Sequence, residues 1–132
     1  MELRVEEGIL LANVEIEFQG KKLKLKNVIV DTGCSDTIFD TDVMAQIGLY
    51  IDYVNGIPTT MYGVGGKGEV CNQQLVSDLY IDEQILNQFP LQLGITQDLY
   101  GFDGFIGLDF MMETNMVVDF SELEVSYKKG EA

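Results

Sequence analysis

The chain has 132 residues, 46% of them hydrophobic and 23% charged, which suits a single domain over 1–132 and leaves too little chain for two lobes. Its formal net charge of −14, from eight Lys and Arg against 22 Asp and Glu, excludes the basic surface that nucleic acid or an anionic membrane requires, and no apolar run approaches membrane-spanning length. It contains no histidine, which removes Ser-His-Asp and Cys-His nucleophiles and the usual zinc sites, so neither metal nor cofactor is expected.

Met1 leads into Glu2, Arg4, Glu6 and Glu7, unlike a signal peptide, and a cytoplasmic location is expected. Val14, Ile16 and Phe18 alternate with polar residues, Gln19-Gly20 punctuates, and Leu23 and Leu25 alternate with lysines. This predicts a hairpin with one buried face and glutamates opposite lysines on the other. Val28-Ile29-Val30 then reads as a buried strand that runs directly into Asp31-Thr32-Gly33. A carboxylate at the end of an apolar strand is costly unless it is paired, hydrogen-bonded or protonated, and Gly33 permits close approach of another backbone or a ligand.

After Thr37-Ile38-Phe39, Asp40 is expected to cap a helix of about two turns through Ile47, stopped by Gly48. Residues 49–56 read as connection. Pro58 opens an extended run to Tyr62 and a glycine-rich tip, Gly63-Val64-Gly65-Gly66-Lys67-Gly68. The tip satisfies G-x-G-x-x-G, with Glu83 twenty residues after Gly63, but a dinucleotide fingerprint must follow a buried strand and open a helix, and the preceding run holds Pro58, Thr59 and Thr60. Cys71, Leu75 and Leu79 also fit helical spacing; a strand is predicted there, continuing through residues 75–82. Leu91, Leu93 and Ile95 suggest another strand, Asp103-Gly104 a turn, and Leu108 to Glu113 a short helix. Met116 to Phe120 and Leu123 to Tyr127 form a predicted closing hairpin across Ser121-Glu122. The two cysteines, Cys34 and Cys71, are too few for a disulfide framework and are expected to be reduced.

Apolar-apolar-Asp31-Thr32-Gly33-Cys34-Ser35, followed some seventy residues later by Asp103-Gly104-Phe105-Ile106-Gly107-Leu108-Asp109, resembles the active-site loop and the second apolar-apolar-Gly element of retropepsin-like aspartic proteases. The glycine-rich tip stands where such proteases carry their flap, and the resemblance spans about residues 9 to 127. It implies an all-β, single-lobe acid protease fold, closed and barrel-like, with one or two short helices and a β-hairpin flap. It further implies a homodimeric endopeptidase in which each chain supplies one Asp31. Peptides or proteins would be its substrates, with neither nucleic acid nor membrane as partner.

In that family's terms Asp31 is catalytic, Thr32, Gly33, Cys34 and Ser35 support it, and Tyr62, Gly63, Val64, Gly65 and Gly66 form the flap. Phe105, Ile106 and Gly107 are the second apolar-apolar-Gly element, in which Phe105 and Ile106 pack beneath the catalytic loop and Gly107 starts a short helix. Retroviral members follow Asp-Thr-Gly with Ala-Asp and the second apolar pair with Gly-Arg. Here Cys34-Ser35 and Gly107-Leu108 stand instead, so both partners of that acid–Arg contact are missing and the pattern looks more like cellular and bacterial members. A non-catalytic peptide-binding or dimerisation module on the same fold is the alternative function, and Asp103 the alternative partner for Asp31 within one chain.

Overall fold

The computed structural model describes residues 1–62, 66 and 68–129. Alternating burial drives the first half of the chain. After β1 (Glu2–Glu6), β2 (Ile9–Phe18) and β3 (Lys21–Val30) form the predicted hairpin, with Val14 opposite Leu25, Ile16 opposite Leu23, Glu15 opposite Lys24 and Glu17 opposite Lys22. Gln19 and Gly20 both take positive φ, 50° and 80°, the two-residue turn whose twist matches an antiparallel pair. β1 lay outside the expected elements; it pairs along β2 and buries Leu3.

β4 (Ile38–Asp40) leads into α1 (Thr41–Ala45). This helix ends before the expected Ile47, because the backbone N–H groups of Gln46, Ile47 and Gly48 bond three residues back and tighten the last turn, after which Gly48 takes φ +79°. β5 (Ile57–Tyr62) and β6 (Gly68–Val76) form a hairpin. The predicted strand over 75–82 is broken at Ser77-Asp78, where Asp78 has φ +54°, so that β7 (Leu79–Ile81) turns away to pair with β2 and β8 (Gln84–Leu86).

β9 (Phe89–Gly94) contains the expected Leu91 and Leu93 but ends before Ile95, which is exposed. A short helix that the pattern did not suggest, α2 (Gln97–Tyr100), follows; it buries none of its residues and so leaves no apolar stripe to detect. Gly104 is not in a turn. It opens β10 (Gly104–Ile106), where a Cβ would meet the Ile38 carbonyl at 2.5 Å, so only glycine fits between β3 and β4. α3 (Leu108–Glu113) and the hairpin of β11 (Met116–Asp119) and β12 (Glu124–Tyr127) close the chain as predicted.

The architecture is therefore mostly strand with short helices, three rather than one or two among the described residues. The sheet is open rather than closed: its order runs β11-β12-β1-β2-β3-β10-β4-β9-β6-β5, with β7 and β8 branching from β2. The strand that carries Asp31 at its end, β3, lies parallel to β10, and β4 lies parallel to β9. The core below them gathers Val28, Val30, Phe39, Met44, Leu91, Leu93, Ile106 and Phe110.

Candidate active site

Asp31 extends the parallel ladder one step beyond β3, its N–H donating to the Ile106 carbonyl at 3.0 Å. The chain then turns: the Cys34 N–H donates to the Asp31 carbonyl at 3.1 Å and the Gly33 N–H to Asp31 Oδ1 at 2.8 Å. A Cβ on Gly33 would lie 3.1 Å from that same oxygen, so the glycine leaves the carboxyl uncrowded. Asp31 is half-buried, Thr32, Gly33 and Ser35 are exposed, and Oδ2 has no hydrogen-bond donor among the described residues. One oxygen is thus held by its own loop, and no described residue donates to the other.

The second element sits directly beneath. Ile106 is fully buried, Phe105 is half-buried and packs edge-on against Phe102 with ring centroids 6.2 Å apart, and Gly107 fits where a Cβ would lie 2.7 Å from the Asp36 carbonyl oxygen. A contact that sequence reading missed joins this element to the segment after the loop. Thr37, fully buried, donates its hydroxyl to Asp109 Oδ1 at 2.7 Å and its N–H to Oδ2 at 3.1 Å, while its Oγ1 accepts from the Gly107 N–H at 3.1 Å. The first N–H groups of α3 complete the join: Leu108 donates to the Cys34 carbonyl at 2.9 Å and Asp109 to that of Ser35 at 3.2 Å. The available signal was polarity in apolar surroundings, since Thr37 precedes Ile-Phe and Asp109 interrupts Phe-Ile-Gly-Leu-Asp-Phe, and such residues need partners.

Burial raises the Asp109 carboxyl above its ordinary value, with nearby Asp36 acting in the same direction, and the bonds from Thr37 and Phe110 offset this only in part. An acid whose folded pKa is raised binds its proton more tightly when folded, so its contribution to stability is present at low pH and is lost as pH rises through the folded value. Relative to an Asp109→Asn variant, the wild type should gain stability between neutrality and about pH 4, which urea midpoints at the two pH values would measure. A wild type that loses ground to the variant on acidification would contradict this sign.

Both thiols are free; burial pushes Cys34 up and Cys71 to about 11, so neither is an activated nucleophile. The half-buried Cys34 donates its Sγ to the Asp36 carbonyl at 3.0 Å, and the exposed Ser35 donates its hydroxyl to Asp36 Oδ2 at 3.0 Å.

Strands β5 and β6 flank the glycine-rich tip, so no helix follows it and the dinucleotide reading lapses. Tyr62 is exposed at the end of β5 and Gly66 takes φ +76°; Gly63, Val64 and Gly65 of the expected flap lie outside the described residues. The Tyr100 hydroxyl, at the end of α2, donates to Glu69 Oε1 on β6 at 3.0 Å, and that bond raises the phenol's pKa.

Asp103 is not beside Asp31. Its N–H donates to the Asn27 carbonyl at 2.8 Å and its Oδ2 accepts from the Asn27 N–H at 3.1 Å. Asn27 lies four residues before Asp31 on the same extended run, about 13 Å along the strand. Asp103 is therefore not an intrachain partner of Asp31.

This arrangement of strands matches the crystal structure of the retroviral protease-like domain of Ddi1 from Leishmania major, with a TM-score of 0.52 and 16% sequence identity over 89% of this chain and 87% of that one. No protein-family model and no curated protein matches the sequence. The fold is retropepsin-like.

Proposed function

We propose that the chain is an aspartic endopeptidase of the cellular and bacterial type, active as a homodimer in which Asp31 of each of two identical subunits supplies one half of a carboxylate dyad. The observation that carries this reading is the placement of Asp31: half-buried, at the end of a central strand, one oxygen held by Gly33 and the other without a donor among the described residues, on a retropepsin-like fold. Two carboxyls within hydrogen-bond distance cannot both ionise, so one pKa rises and the pair shares a proton. The ionised member takes a proton from a water, which attacks the scissile carbonyl. The protonated member stabilises the tetrahedral oxygen and assists departure of the amine.

In this reading Thr32 braces the dyad across the dimer, Gly33 offers backbone to substrate, and the β5–β6 hairpin with Tyr62, Gly63, Val64, Gly65 and Gly66 closes over the peptide. Between Asn27 and Tyr127 the single basic residue is Lys67, so neutral or basic peptides suit this chain better than acidic ones. Free thiols fit a reducing, cytoplasmic setting. Among the described residues no helix is long and apolar enough to cross a membrane.

The test is mass spectrometry of products from a peptide library, followed by specific activity measured against enzyme concentration. Each chain carries −14, so association is opposed by repulsion that salt screens, the Debye length falling from about 10 Å at 0.1 M to about 3 Å at 1 M. Specific activity should fall on dilution, with a midpoint that moves to lower protein concentration in high salt. Activity that stays flat down to concentrations at which sedimentation shows only monomer would overturn the shared dyad. Peptide binding without hydrolysis would establish the non-catalytic module instead.

A further inference from the structure

Gln92 is a fully buried polar residue in an apolar strand, between the core residues Leu91 and Leu93 on β9, and it is 1% exposed. A buried amide destabilises a strand unless its donors and acceptor find partners. Both side-chain partners of Gln92 belong to the flap hairpin, and its backbone N–H reaches the segment that follows the Asp31 loop. Its Oε1 accepts from the Thr59 hydroxyl on β5 at 2.6 Å, its Nε2 donates to Gln73 Oε1 on β6 at 2.8 Å, and its backbone N–H donates to the Thr37 carbonyl at 3.1 Å.

Thr37 is the residue fixed to α3 by Asp109. β5, by contrast, is an edge strand whose single neighbour in the sheet is β6. The bond to Thr59 therefore reaches past β6 and ties the outer strand of the hairpin to β9, the strand bonded to the segment that follows the Asp31 loop. A leucine would fill much of the same space and leave β5 held by its ladder to β6 alone.

The geometry points to Gln92 as the positioning residue of the flap, the side chain that fixes the base of the β5–β6 hairpin relative to the Asp31 loop. Its bearing on substrate rests on the endopeptidase reading above. Thr59 and Gln73 are half-buried, so water can satisfy them once the amide is gone and the fold tolerates its removal. The bond contributes placement of an edge strand more than it contributes stability.

Amide hydrogen exchange in the wild type, Gln92→Leu, Thr59→Val and the double variant tests this without requiring activity. Residues 57–62 and 68–73 should exchange about fivefold to tenfold faster in Thr59→Val, the effect of losing one hydrogen bond, and at least as fast in Gln92→Leu, which also loses the bond to Gln73, while β2 and β3 stay unchanged. The double variant should be no faster than the faster single one, because both changes remove the same bond. Unchanged hairpin exchange in Gln92→Leu, or additive effects in the double variant, would overturn the inference. Should Gln92→Leu fail to fold, Thr59→Val decides alone, since it breaks the same bond and keeps the amide's bond to Gln73. With a peptide chosen from the library above, both variants should raise KM more than they lower kcat. A wild type that cleaves no peptide would refute the endopeptidase reading and leave the exchange rates to judge Gln92.

Discussion

Asp31→Asn should give a folded protein that hydrolyses no peptide. The substitution keeps the shape of the side chain, and its carbonyl oxygen can still accept the Gly33 N–H that meets Oδ1 at 2.8 Å. The loop should therefore stay in place, held also by the bonds from Leu108 and Asp109 to the Cys34 and Ser35 carbonyls. What is lost is the titratable proton: an amide does not take a proton from water at neutral pH, and in the proposed dimer it could not share one with its twin. General acid–base catalysis contributes about 10²- to 10⁴-fold for each group, and the symmetric dimer proposed above would lose both at once, so the expected fall is at least about a thousandfold. The measurement is product formation at a concentration where the wild type is active, with sedimentation to confirm that the variant still assembles and intact mass to confirm that the introduced amide has not hydrolysed back to the acid. Substantial activity in such a sample would rule out Asp31 as the catalytic group.

Asp31 was legible because the apolar strand and the acid are adjacent in the chain, so that one short stretch holds both the burial signal and its violation. The β2–β3 hairpin was legible for a similar reason: its alternation, its Gln19-Gly20 turn and its Glu–Lys pairing all act over a few residues. The rest of the loop's support comes from afar. Thr37 and Asp109 are 72 positions apart, and Gln92 and Thr59 are 33 apart, and each polar residue looks like an ordinary interruption until its partner is known. Gly104 misled for a local reason: Asp-Gly favours turns, yet this glycine is required by the closeness of the Ile38 carbonyl, a tertiary constraint that overrides turn propensity. β1 and α2 were missed because one buries a single apolar residue and the other buries none fully.

Asp40→Ala should be among the most destabilising single substitutions in the chain. The sequence marks Asp40 as the cap of α1, and it is: Oδ2 accepts from the Asp42 and Val43 N–H groups, both at 3.2 Å. Its other oxygen performs a second task. Oδ1 accepts from the Thr96 and Gln97 N–H groups, at 2.9 and 3.0 Å, so one carboxyl group that is only 4% exposed closes the start of both α1 and α2. Thr96 makes no side-chain cap of its own to α2, and its hydroxyl is given instead to the Phe102 carbonyl at 2.6 Å. Alanine would leave four backbone donors without this acceptor around a small cavity. Losing two caps in a buried setting should cost about 3 to 5 kcal/mol, read as a lower urea midpoint with an unchanged slope. Asp40→Asn separates the two tasks, because its one oxygen can serve either pair of N–H groups while its NH₂ is turned against the other pair. It should fall between the wild type and Asp40→Ala, with hydrogen exchange accelerated at whichever helix start loses the oxygen. Wild-type stability in Asp40→Asn would mean that one pair of bonds contributes nothing, and a loss below about 1 kcal/mol in Asp40→Ala would mean that water reaches all four donors.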